Sequence, residues 1–147
     1  MLAQGIYLTP TLSAPYFMAK GGTEAGIPDF IVQKAKQVME THYESFRKAH
    51  QAGVKIIVGI DQGTSLNPHG SIVQEMRLMV ENGLTPEEVL TAATRVAADA
   101  LGLENQIGTI EPGKYADLFA VDGDPLSDID LLENISWVMK EGGGSQE

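Results

Sequence analysis

The sequence contains no cysteine among its 147 residues. This absence excludes thiolate catalysis, zinc–thiolate sites and disulfide bonds. The chain also lacks an apolar run of the roughly 18 residues that span a bilayer. Its first residues have neither the basic start nor the apolar stretch of a secretory signal. We therefore expect no membrane partner, and a soluble cytoplasmic protein is the default prediction.

Basic residues are scarce, because 10 Lys and Arg stand against 20 Asp and Glu. Binding to a phosphate backbone needs a basic surface, so no nucleic-acid partner is expected. The acidity is uneven: from Leu103 onward, ten acidic residues accompany only Lys114 and Lys140. Such a skew marks either a binding face or, more often, a solvated surface.

The first 53 residues predict a strand, a loop and a long helix. Residues 5–12 predict a short strand, which Pro10 confines to a strand end or a sheet edge. Residues 13–27, rich in Gly, Ala and Pro, predict a loop. A helix then runs from Pro28 to Gly53. Its expected buried stripe is Phe30, Ala35, Val38, Met39, His42, Phe46 and Ala49.

Residues 54–60 (VKIIVGI) form a nearly continuous β-branched run, which is typical of a strand covered on both faces. Residues 61–70 predict a loop. Ser71 is a candidate N-cap for a helix that ends before Gly83.

Thr85-Pro86-Glu87-Glu88 is a capping box that predicts a helix start at Thr85. The predicted helix ends at Gly102. Its expected buried stripe is Val89, Leu90, Ala93, Val96, Ala97, Ala100 and Leu101.

The texture of the sequence changes near residue 104, where we predict a domain boundary. Residues 1–104 read as a slice of a parallel α/β architecture. Residues 105–141 read as a small β-element, with a helical turn near Asp128 to Leu132, and residues 142–147 as a flexible tail. The predicted strands of the β-element are 107–110, 116–121 and 135–139.

Asp61 is the candidate functional carboxylate, because it follows the predicted strand 54–60 directly. Functional residues of parallel α/β sheets lie where strands end at the carboxyl side. A carboxylate there can bind a divalent cation or move a proton. The alternative is that Asp61 only caps its loop by accepting hydrogen bonds from backbone N–H groups.

The three histidines give a weaker signal. His42 and His50 lie eight residues apart on one predicted helix, too far for the i, i+4 pairing of helical metal ligands. His69 lies in the loop after Asp61 and is a candidate substrate-pocket residue. One Asp and one His do not complete a zinc site, which usually takes three protein ligands.

Two families resemble the loop that contains Asp61. Residues 60–65 (IDQGTS) resemble the phosphate-binding hairpin of glycerol-kinase-like sugar kinases. That match covers six residues, and a helix rather than a second strand is predicted to follow. The chain is also far too short for two kinase lobes.

The other resemblance extends over almost the whole chain, through several motifs in one order. They are GIYLTPTL (5–12), GID (59–61), PHG (68–70), GLTPEEVL (83–90), AAT (92–94), LGL (101–103), IGTIEPGK (107–114), ADL (116–118) and DGDPL (122–126). This series is similar to the C-terminal half of amidohydrolase-superfamily enzymes, in the branch of imidazolonepropionase and the Xaa-Pro peptidases.

The resemblance implies a (β/α)8 TIM-like barrel with a small β-sandwich built from both chain ends. Residues 5–12 would be a late barrel strand and residues 54–60 the eighth. Such enzymes hydrolyse amide or other C–N bonds of small or peptide-like substrates with one or two divalent metals, usually zinc. Asp61 would match the eighth-strand aspartate, which binds metal and carries a proton from the attacking water to the leaving nitrogen.

The sequence departs from the family in its metal ligands. The His-x-His pair, the carboxylated lysine and two further histidines belong to earlier strands, and His42, His50 and His69 do not match them. We therefore predict a hydrolase fragment that is inactive alone and holds little or no metal. The alternatives are a non-catalytic module that self-associates or pairs with a complementing chain, and an enzyme completed by a second, N-terminal chain.

Overall fold

The computed structural model describes residues 1–63, 66–67, 69–70 and 72–145. The protein is α/β, and its chain divides into two units, Met1–Leu84 and Thr85–Glu147. This division precedes the boundary predicted near residue 104. The reason lies inside the second unit, where residues from the ranges 93–101 and 107–119 line one groove. No described helix has both the length and the apolar character needed to cross a membrane.

The described residues of the first unit form a short 3-10 helix (Leu2–Gln4) and three α-helices: α1 (Ser13–Gly21), α2 (Asp29–Gln51) and α3 (Ile72–Glu81). Helix α1 contradicts the loop predicted for residues 13–27. Pro15 lies in its first turn, where a missing N–H costs nothing. A Cβ on Gly22, just after α1, would lie 2.9 Å from Cγ2 of Val32 in α2, so a larger residue cannot fit there.

The long helix α2 is confirmed, and Gly53 follows it with a positive φ of 78°. Pro28 is its N-cap rather than its first helical residue. The predicted buried stripe is correct in part, since Ala35 and Phe46 are buried, whereas Phe30 is 73% exposed. The buried residues of α2 are Val32, Ala35, Tyr43 and Phe46.

Residues 5–12 and 54–60 do not form extended strands. A single parallel bridge joins Leu8 to Ile56. Ile56 is buried, while the other residues of the 54–60 run are half-buried or exposed. A strand covered on both faces lies in the interior of a sheet, with a paired strand along each edge. Here Leu8 provides a pairing along one edge only.

Helix α3 is confirmed, and Gly83 ends it with a φ of 110°. The N–H groups of Gly83 and Leu84 donate to the carbonyls of Val80 and Met79, which satisfies the last turn. The proposed cap Ser71 lies outside the described residues, as does Pro68 of the loop before it.

The capping box at Thr85 is confirmed. The Thr85 hydroxyl accepts from the N–H of Glu88, and the Glu88 carboxylate accepts from the N–H of Thr85. Helix α4 (Pro86–Ala93) begins there.

Thr85→Ala should lower the free energy of unfolding of the second unit by about 1 kcal/mol, because it leaves the Glu88 N–H without its acceptor. Urea unfolding followed by circular dichroism measures the change. Thr85→Ser retains the hydroxyl and should match the wild type. Equal losses in both variants would contradict a capping role for the hydroxyl.

The single helix predicted to run from Thr85 to Gly102 is wrong, because it breaks at Thr94 into α4 and α5 (Arg95–Leu101). The Thr94 hydroxyl donates to the carbonyl of Leu90. Leu101, predicted to be buried, is 71% exposed. A Cβ on Gly108 would lie 2.6 Å from Cβ of Ala98, so the loop backbone packs directly against α5.

The β-element is a three-stranded antiparallel sheet of β1 (Leu118–Val121), β2 (Ile135–Lys140) and β3 (Gly143–Ser145), in that order. The predicted strand 107–110 is instead a series of bends. Strand β3 occupies the segment predicted to be a flexible tail, and residues 146–147 lie outside the described part. The expected helical turn is present at Ile129–Glu133.

The turn between β2 and β3 explains why the tail residues form a strand. Glu141 and Gly142 both have positive φ, 51° and 81°, as a type I′ hairpin turn requires. The Asp117 carboxylate accepts from Nζ of Lys140 and from the N–H of Glu141. The bond from Lys140, helped by that from Glu141, holds the pKa of Asp117 below its usual value.

Candidate functional site

Asp61 follows a segment that lies beside residues 8–9. The Leu8 N–H donates to the carbonyl of Lys55 at 2.9 Å, and its carbonyl accepts from the N–H of Ile57 at 3.0 Å. Further along, a Cβ on Gly59 would lie only 2.5 Å from Cγ2 of Thr9. The two segments are therefore in contact up to two residues before Asp61.

Gly59→Ala should lower the free energy of unfolding of the first unit by about 1–3 kcal/mol, because the added methyl overlaps Thr9. The double variant Thr9→Ser/Gly59→Ala lacks the overlapping methyl and should recover most of the loss. Gly21→Ala, with the nearest atom at 4.0 Å, is the matched control. Thermal melts compare the four proteins. An unchanged loss in the double variant would exclude the Thr9 contact.

The loop after Asp61 is closed by Asn67, which is 2% exposed. The Asn67 side-chain amide donates to the main-chain carbonyl of Asp61 at 2.8 Å. The Asn67 carbonyl accepts from the N–H of Gly63 at 3.1 Å. The Asp61 side chain itself is exposed. Within the described residues, Asp61 accepts this hydrogen bond with its main-chain oxygen rather than with its carboxylate.

His69 lies on the same loop and is exposed. Its Nδ1 is 3.3 Å from Oε1 of Gln62, the residue that follows Asp61. His42 and His50 belong to α2. The loop thus brings His69 close to Gln62. The other two histidines belong to a different element, the helix α2.

Glu75 is a buried carboxylate that the sequence reasoning missed. It lies on α3, has no solvent exposure, and accepts hydrogen bonds from the backbone N–H groups of Leu12 and Ser13 at 2.7 Å each. Burial raises the pKa of Glu75, and these two N–H groups oppose the rise. A signal was present, since Glu75 precedes the buried Leu78 and Met79 by three and four residues on the apolar face of its helix.

Tyr43 of α2 is also buried, and its hydroxyl has no hydrogen-bond partner among the described residues. Burial, together with the charge of Glu75, raises the pKa of Tyr43 to about 12. The hydroxyl therefore stays protonated at neutral pH and contributes no second charge beside Glu75.

The side chains that could bind a metal ion are scattered within the described residues. Within the described residues, no three His, Asp or Glu side chains are grouped so that they could hold a metal ion. Asp61 supplies one carboxylate, whereas a catalytic zinc usually takes three protein ligands. These residues do not make up a metal centre.

A groove of about 500 Å³ lies within the second unit. Its walls include Leu101, Ile110 and Phe119, which are all largely exposed. The charged side chain on its wall is Asp117, which is paired with Lys140. The groove is an apolar surface rather than a catalytic pocket.

Comparison with known proteins decides the family. The model of the amidohydrolase family matches residues 1–143. The chain belongs to the amidohydrolase family. An imidazolonepropionase from Thermoplasma volcanium is 35% identical over 103 residues, which cover 69% of this chain and 25% of the relative. An ochratoxinase from Aspergillus niger is 30% identical over 136 residues, which cover 90% and 27%.

Among solved structures, a Xaa-Pro dipeptidase with bound methionine in its active site has a TM-score of 0.88 and 38% identity. It is matched over 100% of this chain and 36% of its own. This amidohydrolase chain therefore spans about a quarter to a third of the length of these relatives. Both branches expected from the motifs, imidazolonepropionase and the Xaa-Pro peptidases, are confirmed as similar proteins.

Proposed function

We propose that this chain is the C-terminal portion of a metal-dependent amidohydrolase that hydrolyses amide or other C–N bonds. The observation that carries the proposal is the position of Asp61, exposed at the carboxyl end of residues 54–60, beside the parallel segment at Leu8. The similarity to imidazolonepropionase and a Xaa-Pro dipeptidase supports a small or dipeptide-like substrate.

In the complete enzyme, Asp61 would accept the proton of the attacking water and pass it to the leaving nitrogen. Its exposed carboxylate supports that role, because a general base must reach the proton that it removes. A divalent metal, in this proposal zinc with Asp61 among its ligands, would supply Lewis acidity at the same site. Since the described residues lack a full ligand set, we expect the chain alone to be inactive and to hold metal weakly.

The same proposal assigns residues 1–104 to a (β/α)8 barrel and residues 105–141 to a β-sandwich shared with another part of the protein. The parallel pairing of Leu8 with Ile56 supports adjacent barrel strands. The antiparallel sheet β1–β2–β3 supports the sandwich segment. His69, near Gln62, is proposed to line the substrate pocket.

A fusion enzyme tests the proposal. The part of the Xaa-Pro dipeptidase that this chain does not match is joined to residues 1–147, and hydrolysis of Xaa-Pro dipeptides and bound zinc are measured. We expect hydrolysis and stoichiometric zinc in the fusion, and neither in the isolated chain. A folded fusion without activity, or a tightly held stoichiometric zinc in the isolated chain, would contradict the proposal.

The second candidate is a non-catalytic module that self-associates or pairs with another chain. The exposed apolar residues of the groove and the outer edge of β1 favour it. The charge argues against self-association through this unit, because residues 85–147 contain thirteen acidic and three basic side chains. Two such surfaces repel each other.

Sedimentation of the isolated chain discriminates between these candidates. A defined dimer with a cooperative melt, together with an inactive fusion, would favour the module. A chain that becomes active on mixing with the complementary part of the dipeptidase would favour the enzyme.

A further inference from the structure

The carboxylate of Glu75 is placed where side chains of its kind are rarely found. It is fully buried on α3, and each oxygen accepts one hydrogen bond from consecutive backbone N–H groups at the start of α1. Those N–H groups belong to Leu12, the N-cap, and to Ser13, the first residue of the helix, and have no helical carbonyl to reach. A negative charge at this end of a helix is favourable. Glu75 therefore anchors the start of α1 to α3 across more than sixty residues of sequence.

The residue before this anchor is strained. Thr11 has a φ of 49°, in the left-handed region that a β-branched residue rarely adopts. Such a conformation persists only where the surrounding contacts enforce it. Two contacts do so here: the Glu75 bonds follow Thr11, and the pairing of Leu8 with Ile56 precedes it.

The same short segment contacts the residues that lead to Asp61. Between the two fixed points lies Thr9, whose methyl occupies the space that a side chain on Gly59 would need. A shift at Leu12 would be passed along residues 9–11 to the contact between Thr9 and Gly59, two residues before Asp61.

We propose that Glu75 is a positioning residue for Asp61, acting through the anchored segment 8–13. The inference rests on the proposed function, because Asp61 is the group whose position matters. Glu75 acts in this role through its hydrogen bonds to the backbone of Leu12 and Ser13, and it is not a catalytic residue.

The groups around Glu75 do not replace it in that role. Burial raises the pKa of Glu75, and the charge of His42, on α2, opposes that rise and so favours the ionised carboxylate. Tyr43 is uncharged at neutral pH, because burial raises its pKa to about 12. Tyr16 of α1, Glu40 of α2 and Glu81 of α3 complete the titratable neighbourhood of Tyr43. The recorded acceptor for Leu12 N–H and Ser13 N–H is Glu75.

The test uses Glu75→Gln, which keeps the shape of the side chain but retains only one acceptor oxygen. Glu81→Gln, exposed on the same helix, is the matched control. In the fusion enzyme, we expect Glu75→Gln to lower kcat about 10- to 100-fold with little change in KM or bound zinc, since small misplacement of a reacting group costs that much. The control should match the unmodified fusion.

A second measurement does not depend on activity. In the isotope-labelled chain itself, the amide resonances of Leu8 and Gly59 should shift in Glu75→Gln and stay in place in Glu81→Gln. If Glu75→Gln fails to fold, the wild type is titrated instead. The amides of Leu12, Ser13, Leu8 and Gly59 should then move with one common midpoint, above that of the exposed carboxylates.

Unmoved Leu8 and Gly59 resonances, in the variant or in the titration, would overturn the positioning role. So would an unchanged kcat in a folded, zinc-loaded Glu75→Gln fusion. Failure of the proposed function looks different, because the unmodified fusion would then be inactive while the resonances of the chain still report whether Glu75 controls the segment.

Discussion

Asp61→Asn should lower kcat of the fusion enzyme by about 10²- to 10⁴-fold, the range that general acid–base catalysis contributes. The amide has the shape of the carboxylate but cannot accept the proton of the attacking water. Since the side chain is exposed, its replacement should leave the melting temperature unchanged. Steady-state hydrolysis of a Xaa-Pro dipeptide measures the loss, and a thermal melt shows that the protein is folded.

Two further variants show whether the loss of kcat is specific to Asp61. Asp29→Asn, exposed in the first turn of α2, changes the same functional group in the same unit and should have no effect on kcat. His69→Ala should raise KM more than it lowers kcat, because His69 is proposed to line the pocket rather than to move a proton. An Asp61→Asn enzyme with the activity of the Asp29→Asn enzyme would exclude a catalytic role for Asp61.

Glu75→Ala should lower the free energy of unfolding of the first unit by about 2–5 kcal/mol, because two buried N–H groups lose their acceptor at about 1–3 kcal/mol each. Part of that loss is offset, since the variant no longer buries a charge. Urea unfolding at neutral pH measures the change. Glu81→Ala, on the exposed face of α3, should differ little from the wild type.

The pH dependence of stability gives an independent check on Glu75. Burial raises its pKa above the ordinary 4.5, so between that value and the raised one the folded state binds more protons than the unfolded state. The contribution of Glu75 protonation to the free energy of unfolding is therefore complete at low pH. It is lost as the pH rises from 4.5 through the raised pKa of the folded state. Glu75→Gln removes this contribution, so its stability should decline less than that of the wild type as the pH rises. Parallel curves for the two proteins would contradict the assignment.

Part of the candidate site was predictable because it depends on neighbours in sequence. A carboxylate that follows a β-branched run is expected at the carboxyl end of a parallel pair of segments. Leu8 and Ile56 do form a parallel pair. The closure of the loop by Asn67 and the burial of Glu75 were not predicted. Each depends on contacts between segments that local patterns do not connect.

The sequence by itself determined the features that a few adjacent residues decide. The Thr85 capping box begins α4, and glycines at 53, 83 and 102 adopt positive φ where their helices end. The ordered motifs identified the family. The capping box and the glycine turns each depend on interactions within about one turn of the chain, so adjacent residues suffice to favour them.

Only the tertiary structure decided where α1 begins, where the helix after Thr85 breaks, and which apolar residues remain exposed. Helix α1 starts at a carboxylate that comes from α3, and α5 packs on the backbone of Gly108 beyond its own end. Leu101 and Phe30 have apolar side chains but lie on faces that no described segment covers. Burial depends on what packs against a residue, and local sequence patterns do not reveal that partner.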